Sequence, residues 1–303
     1  MNHIRYDEKV AIITGGARGL GKEYAKLLAS RGAIVVINDN AVNETGEPLA
    51  FMTAKLINEK GGKAIANLGD ITKKDEIWQL TSQVMEAYGR IDILVHNAGI
   101  AVDTPLIDMT EGEWFETIDV HLNGAFFLLK EILPIMLKVN YGRIVMVASS
   151  VGMYGTRNHC AYGAAKMGVY GLVQSLKHEL QDTNVYCNLI SPLAATEQTN
   201  RALNESLRSM LKPEYVAPLV AYLCSSECRQ FAETIVAGGG YLSANTFYEG
   251  KGIGLLANAI TIEQIRDRID EITDLSESRK MSTTNDAAKK IFRTVQKINR
   301  TKE

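Results

Sequence analysis

A tyrosine and a lysine four residues apart, Tyr162 and Lys166, follow a serine, Ser149, by thirteen positions. On a helix, residues four apart stand on one face, one turn from each other. A free phenol has a pKa of about 10 and moves protons poorly near neutral pH. A neighbouring ammonium stabilises the phenolate and lowers that value. The spacing therefore predicts that Lys166 makes Tyr162 a usable acid and base, while the Ser149 hydroxyl holds a carbonyl or alcohol oxygen. Ser150 competes for that role, and the spacing favours Ser149. Such a set interconverts alcohols and ketones when something else carries the hydride.

The N-terminal segment supplies a place for a hydride carrier. Lys9 to Thr14 is a short apolar run that reads as a buried parallel strand. Gly15-Gly16-Ala17-Arg18-Gly19-Leu20-Gly21 follows, then a helical pattern from Lys22 to Arg31. Glycines permit the tight turn and let backbone N–H groups approach a pyrophosphate, whose charge meets the helix N-terminus. A second strand, Ala33 to Asn38, ends at Asp39. A carboxylate there binds a ribose 2′-hydroxyl and repels a 2′-phosphate, which favours NAD over NADP. Arg18 argues the other way, because a guanidinium in the loop can reach a phosphate. Repulsion from Asp39 is the more direct effect.

The 303 residues suit one large α/β domain with an appendage. Hydrophobic residues make up 46% of the chain, ample for a core. A formal net charge of −2 gives no preference for nucleic acid. No apolar stretch reads as a membrane span, and the segment from Met1 to Val10 lacks the apolar core of a signal peptide. The C-terminus lacks a Ser-Lys-Leu type address, so a cytoplasmic location is expected. Cys160, Cys187, Cys224 and Cys228 form no paired framework, and no His completes a metal set with Cys224 and Cys228. Reduced thiols and no metal are the expectation.

Strand-like runs recur at 10–14, 33–38, 63–68, 91–95, 142–148, 184–190 and 233–237, with helical patterns between them. This alternation predicts a doubly wound parallel α/β sheet of Rossmann type, with about seven strands and both faces covered. Ligands then bind beyond the strand C-terminal ends. The glycine loop falls after the first strand, Asp39 after the second and Asp70 with Ile71 after the third. Asn97-Ala98-Gly99 follows the fourth, Ser149 the fifth and Pro192 the sixth. After about Gly240 the alternation stops. Residues 1–240 are expected to form the dinucleotide-binding catalytic domain and 241–303 a helical extension. Helices are expected there over Thr261 to Ile272 and Asp286 to Lys297, around a polar loop from Ser276 to Asn285. Trp114, Phe115, Phe126 and Phe127 are expected in the core or a subunit interface, and Asp103 and Asp108 in solvent.

Taken together, Thr14-Gly15-x-x-x-Gly19-x-Gly21, Asp70, Asn97-Ala98-Gly99, Ser149, Tyr162-x-x-x-Lys166 and Pro192 resemble the motif set of the short-chain dehydrogenase/reductase family. The resemblance covers roughly residues 7 to 240. Val35 to Asp39, Gly61 to Asn67, Val120-His121-Leu122, Tyr141 to Ile144 and Lys212 to Val220 are also similar to the dehydrogenase portion of peroxisomal multifunctional enzymes of type 2. Those enzymes oxidise (3R)-3-hydroxyacyl-CoA to 3-ketoacyl-CoA with NAD. The resemblance implies that Tyr162 is the base in oxidation and the acid in reduction. Lys166 would lower its pKa and bind the nicotinamide ribose, and Ser149 would position the substrate oxygen. Gly15, Arg18, Gly19, Leu20 and Gly21 would hold the dinucleotide, with Asp39 at its ribose and Asp70 and Ile71 at the adenine. Asn97, Ala98 and Gly99 would lie against the adenosine ribose, and the residues from Pro192 to Thr196 would bracket the carboxamide.

Three positions depart from the family pattern. His121 stands where many members have an Asn that holds a proton-relay water, Leu193 follows Pro192 where Gly is usual, and His96 replaces the first Asn of an Asn-Asn-Ala-Gly run. The implied function is an NAD-dependent oxidoreductase acting on a (3R)-3-hydroxyacyl-CoA. Rivals are a 3-oxoacyl-carrier-protein reductase, a steroid or small-alcohol dehydrogenase and, in a different class, a nucleotide-binding scaffold. The helices near 112–138 and 161–181 carry long apolar faces. In the family these pack across a two-fold axis, so a homodimer or homotetramer is expected.

Overall fold

The structure is a computed structural model that describes residues 3–197, 199, 204–256, 260–281 and 283–300. The chain divides into two compact units, Met1–Ala244 and Asn245–Glu303. The first runs β1 (Val10–Thr14), α1 (Gly19–Ser30), β2 (Ile34–Asn38), α2 (Leu49–Glu59), β3 (Lys63–Asn67), α3 (Lys74–Tyr88) and β4 (Ile93–His96). It continues through α4 (Glu111–Ile118), a π turn (Asp119–Asn123), α5 (Gly124–Lys138), β5 (Gly142–Val147), α6 (Ser150–Tyr154) and α7 (Cys160–Glu179). It closes with β6 (Val185–Pro192), α8 (Glu205–Met210), α9 (Ala217–Leu223), β7 (Thr234–Gly238) and β8 (Tyr241–Asn245).

The strands form one sheet in the order β3-β2-β1-β4-β5-β6-β7-β8. The pairs from β3 to β7 are parallel. β1 pairs with both β2 and β4, so the winding reverses there and a crevice opens beyond the ends of β1 and β4. The eighth strand exceeds the seven expected. Gly239 and Gly240 take φ of 57° and 86°, the left-handed backbone a two-residue hairpin requires, and return the chain beside β7.

Alternation along each strand sends side chains to two cores. Ala11, Ile13, Val35, Ile37 and Val95 meet Tyr24 and Leu28 of α1, Ile57 of α2 and Val220 of α9. Val10, Ile12, Val36, Leu94 and Ile144 meet Leu80 of α3, Leu128 and Ile132 of α5, and Val173 of α7. Full burial of one such side chain contributes roughly 1.5–3 kcal/mol. The sheet is therefore a rigid base for the loops at its C-terminal edge.

Some expectations need correction. The continuous helical run Glu111–Lys138 is, by length and composition, apolar enough to cross a membrane. Buried Ala125, Leu128, Leu129, Ile132 and Met136 put one side of it on the sheet. Phe115 and Phe126 are exposed, at 58% and 46%, so of core or subunit interface only the interface alternative stays open for them. In the second unit, β9 (Tyr248–Glu249) pairs antiparallel with β10 (Arg279–Lys280), which lies inside the expected polar loop. The isoleucine pattern from Thr261 to Ile272 is split into α10 (Ile262–Asp267) and α11 (Ile269–Thr273) at Arg268. Thr261 starts α10 through a capping box with Gln264. The last helix is α12 (Thr284–Arg300).

Candidate active site

The glycine loop closes by contacts that no side chain could enter. A Cβ on Gly21 would stand 2.1 Å from the Gly15 carbonyl oxygen, and one on Gly15 would stand 2.8 Å from Ala98 Cα. Gly15 and Gly19 also take φ of 60° and 51°. The first turn of α1 holds no acidic residue, and Arg18 at its N-cap makes no side-chain cap. The orphan N–H groups there suit an anion. Leu20 is partly buried against the α1–α2 core. Thr53 of α2 pins the loop by donating to the Ala17 carbonyl at 2.8 Å. This cradle fits a dinucleotide pyrophosphate.

Asp39 sits at the end of β2, buried, with both carboxylate oxygens in use. Oδ2 accepts from the Ala17 N–H and Oδ1 from the Ala41 N–H, each at 3.1 Å. Arg18, the residue that argued for a phosphate, forms a surface ion pair with Glu197 at 3.4 Å. Asp70 Oδ1 accepts from the Thr72 N–H and hydroxyl at 2.9 and 2.8 Å, which shapes the turn after β3. Ile71 is buried in the core, and its carbonyl would lie 3.1 Å from a Cβ on Gly124. Asn97 ties β4 to the glycine loop: its amide donates to the Thr14 and Gly15 carbonyls at 3.3 and 3.0 Å. Gly99 lies under His121, where a Cβ would meet the ring Cε1 at 2.4 Å.

The three acid/base candidates come together. Ser149 is the N-cap of α6, and its Oγ accepts from the Val151 N–H at 3.1 Å, which leaves its own hydrogen for another acceptor. Tyr162 and Lys166 share one face of α7, with the ammonium nitrogen 5.6 Å from the phenol ring centroid. The electrostatics differ from the expectation that Lys166 acidifies Tyr162. Burial raises the Tyr162 pKa, and hydrogen bonding to Ser149 opposes that rise. Lys166 is buried, and its Nζ donates to the Val147 carbonyl at 2.7 Å. Desolvation pulls its pKa down to about 7. The ammonium thus meets a backbone oxygen on β5, and the group that lowers the phenol pKa is Ser149.

Pro192 ends β6 in register with Ala237, and the Leu193 N–H donates to the Ala237 carbonyl at 2.8 Å. Leu193 is not among the residues with positive φ, so a Cβ fits where glycine is usual. Thr196 touches the glycine loop: a Cβ on Gly19 would stand 3.3 Å from Thr196 Cγ2. The loop after β6 therefore borders the dinucleotide cradle.

Two histidines lie beside Tyr162 and Lys166. His121, on the π turn, is 1% exposed and packs edge-on to Tyr162 with centroids 4.9 Å apart. His96, at the end of β4, bonds Thr14 Oγ1 through Nδ1 at 3.0 Å and the His121 carbonyl through Nε2 at 3.3 Å. Burial and the Lys166 charge hold both histidines neutral, His96 with a pKa of about 3. Thr14, read in the sequence only as the first residue of the glycine motif, has a hydroxyl that gathers three partners, and the sequence missed Asn38, which donates to Asn67 Oδ1 and the Gly69 carbonyl at 2.9 and 2.7 Å. The Asn38–Asn67 pairing follows from strand register, which is not visible before β2 and β3 are aligned. Among the described residues no group of three His, Cys, Asp or Glu is placed to hold a metal.

The short chain dehydrogenase family model matches residues 9–208. Peroxisomal multifunctional enzyme type 2 of Drosophila melanogaster is 36% identical over 97% of this chain and 50% of its own length. Its solved full-length structure superposes with a TM-score of 0.83 at 34% identity, covering 97% of this chain and 51% of that one. The 3-oxoacyl-[acyl-carrier-protein] reductase of Thermotoga maritima is 35% identical over 74% of this chain and 93% of its own. A metagenomic short-chain oxidoreductase solved with NADP gives a TM-score of 0.66 at 29% identity, covering 76% of this chain and 96% of that one. The chain spans about half the length of the Drosophila enzyme.

Proposed function

The chain belongs to the short-chain dehydrogenase family and is an oxidoreductase, and from that premise we propose that it transfers a hydride between NAD(H) and a (3R)-3-hydroxyacyl thioester, as the CoA ester. The single observation that carries the NAD preference is Asp39, a buried carboxylate fixed by two backbone N–H groups at the edge of the glycine loop. A 2′-phosphate brought there meets a charge that cannot swing away, and Arg18 is already paired with Glu197. The thioester assignment rests on similarity to the multifunctional enzyme, which extends over nearly the whole chain.

The nicotinamide ring, when bound, supplies the hydride chemistry. The protein orients the substrate and moves one proton. Ser149 donates its free hydrogen to the substrate oxygen. Tyr162 takes the carbinol proton in oxidation and returns it in reduction. Before substrate binds, hydrogen bonding from Ser149 favours the phenolate against the burial that disfavours it; with substrate bound, that hydrogen passes to the substrate oxygen. Lys166 keeps two N–H groups beyond its bond to Val147 and would hold ribose hydroxyls of the cofactor. A homo-oligomer built on the exposed apolar residues Phe115 and Phe126 is part of this reading.

The Thermotoga relative favours a second reading, reduction of a 3-oxoacyl carrier protein. Initial rates with NAD and NADP, against (3R)- and (3S)-3-hydroxyacyl-CoA of several chain lengths and against 3-oxoacyl carrier protein, separate the two. Turnover of (3R)-CoA esters with NAD is expected. Turnover confined to NADPH and the carrier-protein substrate rejects the first reading.

A further inference from the structure

Two carboxylates lie close to the Arg18 end of the glycine loop, and only one of them takes the guanidinium. Asp39 bonds to the residue before it: Oδ2 accepts from the Ala17 N–H and Oδ1 from the Ala41 N–H, each at 3.1 Å. Both Asp39 oxygens therefore face backbone donors. Glu197, on the loop after β6, holds Arg18 instead, with its Oε2 3.4 Å from Nη1. The Arg18 side chain makes no capping bond to α1, so nothing in the helix competes for it.

The turn that carries Glu197 is fixed by its own hydrogen bonds. Thr199 Oγ1 accepts from the Thr196 N–H at 2.8 Å and donates to the Ala194 carbonyl at 2.6 Å. The Thr199 N–H returns to the Thr196 carbonyl at 3.0 Å. The Ala195 N–H donates to the carbonyl of Leu211, the C-cap of α8, at 2.6 Å. Thr196 rests against the glycine loop, 3.3 Å from where a Gly19 Cβ would stand. Glu197 is the next residue along, so it meets Arg18 without a free loop having to be ordered. An exposed ion pair commonly loses most of its attraction to such ordering. A turn already set puts this pair at the upper end of the surface range, a factor of about five in an equilibrium constant.

Resting on the cofactor reading above, we infer that Glu197 is a specificity-determining residue for the dinucleotide: by holding the Arg18 guanidinium, it withholds the cation that a 2′-phosphate would pair with. Asp39 repels the phosphate, and Glu197 removes its counter-charge. A ribose 2′-hydroxyl needs no cation, so NAD binds with the pair intact. NADP binds either after the pair opens or without the guanidinium. Two carboxylates on different loops thus bear on one substituent of the cofactor.

Glu197→Gln keeps the length of the side chain and removes its charge. Calorimetry at low ionic strength gives the dissociation constants of NAD and NADP for the unaltered protein, Glu197→Gln, Arg18→Ala and the double variant. The same four are made on Asp39→Asn, where NADP no longer meets the Asp39 charge. Glu197→Gln is expected to tighten NADP about three- to fivefold and to leave NAD within about 1.5-fold. In the presence of Arg18→Ala, the same substitution is expected to move NADP by less than about 1.5-fold. An unchanged NADP affinity overturns the inference. So does an equal gain with and without Arg18, which leaves Glu197 only a general repulsion, or an equal change for both dinucleotides, which leaves it only a structural role. If the unaltered protein prefers NADP, the cofactor reading fails, and the cycle still decides whether Glu197 withholds Arg18. If neither dinucleotide binds, both fail.

Discussion

Replacing Lys166 with methionine is expected to flatten part of the pH dependence of folding. The ammonium is buried and its described hydrogen-bond acceptor is one carbonyl. Its pKa falls from 10.5 to about 7 on folding. Between those values the unfolded chain binds more protons at this site than the folded one, so stability rises with pH across that window. At pH well below 7 the strain of burying the charge is on the order of 5 kcal/mol, an upper bound from 1.36 kcal/mol per unit. From about pH 7 to about pH 8.5 the unaltered protein should gain about 1.5 kcal/mol relative to Lys166→Met. Buried Cys187, Cys224 and Tyr24 have raised pKa values and lose stability as pH climbs further, but both proteins share that loss. Urea unfolding of the cofactor-free proteins at the two pH values measures the difference. Parallel curves would refute the claim that Lys166 is held as a desolvated ammonium.

The glycine cradle and the Asp39 carboxylate give two further expectations. Gly21→Ala puts a methyl 2.1 Å from the Gly15 oxygen, so the loop must open; NAD affinity measured by calorimetry should fall by at least about 100-fold, and retained affinity contradicts the cradle. Asp39→Ala removes the charge and both backbone bonds; the ratio of kcat/KM with NADP to that with NAD should rise by about 10-fold or more, with roughly 1–3 kcal/mol lost in stability. An unchanged ratio removes Asp39 from cofactor choice.

Much of the first unit was legible because buried strands, glycine turns and strand-end polar residues each leave a local pattern. Val10 to Thr14 reads as a covered strand, and the loop after it reads as a turn that excludes side chains. What stayed hidden depends on contacts distant in sequence. Spacing puts Tyr162 and Lys166 on one face, but it cannot say that the ammonium will turn to the Val147 carbonyl on another element. His96 and His121 looked like separate departures until β4 and the π turn met. β8 escaped because Tyr241 and Leu242 are exposed and give no buried run. The break at Arg268 escaped because the isoleucine spacing continues across it.

The acid/base role of the phenol is tested most directly by single-turnover NADH formation from a (3R)-3-hydroxyacyl-CoA with Tyr162→Phe, alongside its NAD dissociation constant. Removal of one hydroxyl from a half-buried ring should cut the hydride-transfer rate by about 100- to 10,000-fold and leave the dissociation constant within about twofold. A Tyr162→Phe enzyme that transfers hydride at the unaltered rate would contradict the account.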